Sequence, residues 1–134
     1  MGSNLHPLLI MNLERLLRMY NYKVQRESPL FHDHLTLSTG NVQGKQDYVD
    51  LLGIGWNCTI AIEFDSCKSL RYNSIEKLLQ SDADVLIGIV KDGTLNYNKE
   101  RILEVMNESG ITDRKVLLIV MSEKSSEEVR WQGY

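Results

Sequence analysis

Two short, unbroken apolar runs constrain this chain more than any other feature: Val85-Leu86-Ile87-Gly88-Ile89-Val90 and Val116-Leu117-Leu118-Ile119-Val120-Met121. A strand with one wet face alternates apolar and polar residues. A run that is apolar at every position reads as a strand covered on both faces, as in a parallel sheet sandwiched by helices. The spacing supplies the crossover. Asp92-Gly93 turns the chain, and a helix is predicted over Lys99–Ser109, with Asn98 as its N-cap and Gly110 as its stop.

The rest of the chain extends this pattern. Leu9, Ile10, Leu13, Leu16, Leu17 and Tyr20 recur at three- and four-residue intervals, so a leading helix is predicted over Pro7–Tyr20. Pro7 suits its first turn, and Asn21 closes its end in a left-handed conformation. Tyr22–Glu27 alternates as a first strand and stops at Ser28-Pro29. No period is sustained from Leu30 to Gln46, where Leu35–Ser38 is a candidate short strand. Asp47–Ile54 and Cys58–Asp65 are β-rich runs joined by Gly55-Trp56-Asn57, a hairpin connection. Ser74–Ser81 carries Ile75, Leu78 and Leu79 at helical spacing. The predicted order is α-β-β-β-α-β-α-β: an α/β fold with a mixed sheet flanked by helices on both faces.

A length of 134 residues predicts one domain, and 43% hydrophobic with 25% charged residues is an ordinary globular mixture. Met1-Gly2-Ser3 reads as an expression remnant, and residues 122–134 as a polar tail relieved only by Val129, Trp131 and Tyr134. No apolar run approaches the roughly 18 residues of a membrane span. Cys58 and Cys67 match no zinc spacing and are too few for a disulfide framework, so both are expected as thiols of a cytoplasmic protein. The formal charge is −3, which weighs against indiscriminate nucleic-acid binding. Its distribution is uneven, with five Lys and Arg against three Asp and Glu up to Lys45, and ten against fifteen beyond.

Chemistry concentrates on the hairpin. Along Cys58–Asp65, Ile60, Ile62 and Phe64 point one way, and Thr59, Ala61, Glu63 and Asp65 the other. Asp50 stands amid apolar residues of the preceding strand, and a hairpin brings it beside Glu63. Buried carboxylates are costly without compensation. A hard divalent cation, Mg²⁺ or Mn²⁺, is the simplest, and a Lys or Arg partner is the bland alternative.

The run Asp50-x12-Glu63-x-Asp65, set between a leading and a following helix, resembles the motif of the PD-(D/E)XK phosphodiesterases, the superfamily of restriction endonucleases and resolvases. Residues 7–90 are similar to its α-β-β-β-α-β core, leaving an added α-β unit. The resemblance implies a restriction-endonuclease-like fold and a metal-dependent nuclease that hydrolyses DNA, more than RNA, phosphodiesters. A catalytically inactive nucleic-acid-binding or assembly module on the same fold is the alternative. Carried over, Asp50 and Glu63 hold Mg²⁺, and Glu14 on the leading helix matches an additional acid. Asp65 occupies the position where the superfamily has lysine, and Lys68 or Lys77, the latter on the second helix, supplies the missing charge. Asp65 is then a further ligand. Arg71 and Lys45 are candidate nucleic-acid contacts, with the N-terminus of the second helix assisting. A homodimer is expected, because two strands of a duplex call for two sites. His32-Asp33-His34, a half metal site if extended, lacks an evident third ligand and reads as a solvated loop.

Overall fold

A computed structural model describes residues 5–26 and 49–132. The candidate strand at Leu35–Ser38, the His32-Asp33-His34 stretch and Lys45 lie outside the described residues. The first helix, α1, spans Leu5–Met19 and buries Ile10 and Leu17. Asn21 follows at φ 68°, and the amide of Tyr22 returns to the Leu17 carbonyl at 3.0 Å, so the chain reverses at once into β1, Lys23–Arg26. Strand β2 is Leu51–Ile54 and β3 is Thr59–Asp65. Helix α2, Tyr72–Gln80, leads to β4, Val85–Val90. Helix α3, Leu95–Ser109, leads to β5, Lys115–Val120, and the last strand, β6, is Ser125–Arg130.

The six strands form one mixed sheet in sequential order β1 to β6. Both pairs β1–β2 and β2–β3 are antiparallel, β3–β4 and β4–β5 are parallel, and β5–β6 is antiparallel. The two unbroken apolar runs are the parallel strands β4 and β5, as expected. One face of the sheet packs Leu51, Ile62, Phe64 and Ile89 under α1. The other packs Ala61, Leu86, Leu118 and Val120 against α2 and α3. With helices on both sides, nothing along β4 or β5 needs a solvated side. No helix among the described residues is long and apolar enough to cross a membrane.

Three expectations are corrected. The segment after Ser122 is no tail: β6 pairs with β5 from Lys115↔Arg130 to Val120↔Ser125, after a turn in which Lys124 takes φ 49°. Its outer face is charged, as suits an edge strand. Asp50 precedes β2 rather than lying within it. Asn98 is no N-cap: α3 starts one turn earlier, where the Thr94 hydroxyl accepts from the Tyr97 amide at 3.2 Å. Thr94→Ala is expected to cost about 1 kcal/mol of stability, read as a lower urea midpoint at unchanged slope.

Asn98 is instead fully buried. Its amide nitrogen donates to the carbonyls of Lys68 (3.1 Å) and Thr94 (2.9 Å), and its oxygen accepts from the Leu70 amide at 2.8 Å. A buried amide satisfied on three sides is rigid. Asn98 thereby fastens the loop between β3 and α2 to α3. Gly93, at φ 93°, passes so close to the Lys68 carbonyl that a Cβ there would lie 2.0 Å from its oxygen. The loop carrying Lys68 and Arg71 is held from below by both.

Candidate active site

The antiparallel register sets the site. Leu51 faces Ile62, so the position before Leu51 faces the position after Ile62: Asp50 lies across from Glu63. The backbone ladder does not continue there, and side chains replace it. The Asp50 amide donates to Glu63 Oε2 at 2.8 Å, and the Phe64 amide donates to Asp50 Oδ2 at 2.9 Å. Glu63 thus takes the amide of Asp50, and Asp50 takes the amide of Phe64, which satisfies backbone donors that would otherwise be stranded.

Glu63 projects toward α2, as the alternation along β3 requires, and is fully buried. Lys77, on the inward face of α2, is also buried, and its Nζ lies 3.5 Å from Glu63 Oε2. Glu63 Oε1 is buried without a hydrogen-bond partner. Burial foremost, and then the Asp50 charge, push the Glu63 carboxyl up to about 8; Lys77 and the Asp50 amide oppose this, and Asp65 adds to it. Desolvation disfavours a lone carboxylate more than one ammonium at 3.5 Å restores it.

Asp65 also points to the α2 face and is buried, but its carboxylate is fully engaged. The Arg71 amide donates to Oδ2 at 2.9 Å, and the Arg71 guanidinium grips Oδ1 through Nε (3.2 Å) and Nη2 (3.0 Å). The Asp65 charge lies just ahead of the first turn of α2, where the helix dipole favours it. Arg71, expected to face nucleic acid, is committed to Asp65, although its side chain stays exposed.

The structure therefore brings together Asp50, Glu63, Asp65 and Lys77. It does not bring in Lys68 or Glu14. Lys68 is exposed on the loop between β3 and α2. Glu14 sits at the α1–β1 junction, where Arg26 Nε meets one oxygen at 2.7 Å and Arg18 Nη2 the other at 2.8 Å. The bond from Arg18, foremost, holds its carboxyl below the ordinary value. Glu14 is thus an ion-pair partner, not a member of the acid group.

Sequence reasoning missed His6. Its Nε2 lies 3.3 Å from Asp50 Oδ2, and its ring packs on Phe64 with centroids 5.3 Å apart. No local signal marks it, since the contact joins positions 44 residues apart. Asn98 was noticed only as a helix cap, because its polar character suits a cap as well as a buried clasp.

Two of the acids fit a hard divalent cation. Asp50 and Glu63 are adjacent carboxylates, and the unpartnered Glu63 Oε1 is a buried oxygen in want of a positive or donating neighbour. Mg²⁺ characteristically takes one or two carboxylates and keeps several waters. Asp65 does not fit, because Arg71 already occupies both its oxygens. Among the described residues, no group of three or more His, Cys, Asp and Glu side chains forms a ready-made metal site. Comparison with protein-family models, curated proteins and solved structures finds no match.

Proposed function

We propose that this chain is a divalent-metal-dependent nuclease of restriction-endonuclease-like type, acting on DNA through Asp50, Glu63 and Lys77. One observation carries this reading: a buried lysine from α2 lies 3.5 Å from a buried glutamate that shares a strand end with an aspartate. Phosphodiester hydrolysis needs both signs of charge together. Asp50 and Glu63 would hold Mg²⁺ or Mn²⁺, and the ion supplies Lewis acidity toward the phosphate. Lys77 offsets negative charge as it develops on the phosphate oxygens and positions the attacking water. A helix-borne lysine thus takes the role that the motif assigns to the position of Asp65. Arg71 neutralises Asp65, so the extra carboxylate does not repel substrate. Cleavage of both strands of a duplex calls for a second copy of the site, supplied by a second copy of the chain.

The direct test is nicking of single-stranded, duplex and branched DNA with Mg²⁺ or Mn²⁺. Wild-type protein should cut at least one of them, and Glu63→Gln should cut none, losing ion binding and cleavage together. Absence of wild-type cleavage on all three, or full cleavage by Glu63→Gln, sinks the reading. The engagement of both Asp65 oxygens by Arg71 favours a second reading, a nucleic-acid-binding module whose acids serve its architecture. Substrate binding without cleavage is its signature.

A further inference from the structure

The β2–β3 connection lies at the end of the sheet opposite the acids. It is tight, with the Gly55 amide on the Cys58 carbonyl at 2.8 Å. A Cβ on Gly55 would meet the Tyr22 ring at 2.6 Å, so the tip is pressed onto the residue that follows α1. The connection presents Trp56 at 94% exposure, and Tyr20 (70%) and Met19 (71%) stand at the neighbouring end of α1. A tryptophan left almost wholly in water gains nothing by folding, and with Tyr20 and Met19 it forms an exposed apolar cluster of the kind that marks contact surfaces.

Charge selects the partner. Residues 5–26 hold Arg15, Arg18, Lys23 and Arg26 against the single acid Glu14, and residues 51–62 hold no charged residue. Arg15, Arg18 and Glu14, with Met11 and Met19, line an open groove of about 480 Å³ along α1, two cations against one acid. A second copy pressed face to face here would bring two surfaces of net positive charge together. A polyanion would not. Glu14 takes up Arg18 and Arg26, and Arg15 and Lys23 lie outside that pairing. Flat rings beside such cations are how proteins hold single-stranded nucleic acid, because every base has a face to stack and every linkage a charge. The other exposed aromatic pair, Tyr72 and Tyr97 around the Arg101 guanidinium, borders Glu100 and Glu104 on α3, which repel phosphate.

From these observations we infer that Trp56 and Tyr20, with Arg15 and Lys23, form a stacking surface for single-stranded nucleic acid. This deepens the nuclease reading, and rests on it only for the role of the bound strand. The tip precedes β3 and the acids end it. Seven residues of strand at about 3.3 Å each separate them by roughly 20 Å. An unpaired strand of about six nucleotides covers that distance at about 3.4 Å per nucleotide. Because α1 covers one face of the sheet and Glu63 turns toward α2 on the other, about six nucleotides is the least length of unpaired segment that a substrate reaching both ends needs.

The test uses the full chain carrying Trp131→Phe, which leaves Trp56 as its only indole. A thymidine oligonucleotide of about twelve residues is titrated in chelator, without divalent ion, so that cleavage plays no part. Stacking should quench the indole emission on binding. Trp56→Ala and Tyr20→Ala, followed by anisotropy of a labelled oligonucleotide, should each weaken binding about tenfold, as expected for loss of one stacked base. Both side chains are exposed, so circular dichroism should not change. Arg15→Ala and Lys23→Ala should each reduce the slope of log affinity against log salt by about 0.7. Unquenched emission, or Trp56→Ala binding as tightly as the parent, overturns the inference. So does quenching by anionic lipid vesicles, or by raised protein concentration alone, with no response to oligonucleotide. Binding is read in chelator and nicking is read separately with Mg²⁺, so failure of this surface and failure of the nuclease reading are distinguishable.

Discussion

Lys77→Met should leave the fold intact and lower Mg²⁺-dependent cleavage by a hundredfold or more. Methionine has nearly the length and apolar volume of the lysine stem, and Lys77 is almost wholly enclosed. Removing one partner of a buried ion pair ordinarily destabilises, because the other charge is abandoned. Here the abandoned group has an escape. Glu63 is already pushed up to about 8 by burial, and without Lys77, which lowers it, the carboxyl simply keeps its proton near neutrality. The melting temperature near pH 7 should therefore change little while catalysis collapses. The collapse should appear in kcat rather than KM, because the ammonium acts on charge that develops only in the transition state. Lys77→Arg supplies the control: it retains the charge on a different fork, and should recover part of the rate. Cleavage by Lys77→Met at the wild-type rate would remove Lys77 from the chemistry.

Stability should fall as pH rises from about 5 to about 8. The folded pKa of Glu63 lies above the ordinary value of 4.5, so between the two the folded chain keeps a proton that the unfolded chain has released. The native state then binds more protons than the unfolded state, and the linkage relation gives a negative slope of unfolding free energy against pH. The contribution is complete below the unfolded value and is lost as pH passes the folded one, with a total on the order of 5 kcal/mol. Urea denaturation across this range measures it. Replacing Glu63 alone would leave Lys77 as an unpaired buried charge, so the flat reference is the double variant Glu63→Gln with Lys77→Met. Mg²⁺ should counter the fall in wild type, because the ion binds the carboxylate form and releases its proton. A wild-type slope equal to that of the double variant would show that Glu63 is an ordinary acid.

The sequence by itself determined most of the layers. Period 3.6 in α1, period 2 in β3 and the absence of any period in β4 and β5 are local consequences of which faces are covered, so they can be read without coordinates. The alternation along β3 also put Glu63 and Asp65 on the face away from Phe64. Local pattern fails where a segment's reason for its shape lies elsewhere in the chain. Strand β6 buries only Val129 of its six side chains, and its pairing is written in β5 rather than in itself. Thr94, not Asn98, starts α3, because Asn98 has better partners on a loop 28 to 30 residues away.

Partner choice among charges was decided only by the tertiary structure. Asp65 and Glu63 are two residues apart on one face of one strand, and the sequence offered Lys68, Arg71 and Lys77 to both. Arg71 lies close enough to take Asp65 with its own amide and guanidinium together, whereas Lys77 reaches Glu63 because α2 lays it over the middle of the sheet. Spacing along the chain gives a list of candidate partners. Distance and burial in the fold choose among them, since a charge pair gains most where water is excluded and loses most where one member is left alone.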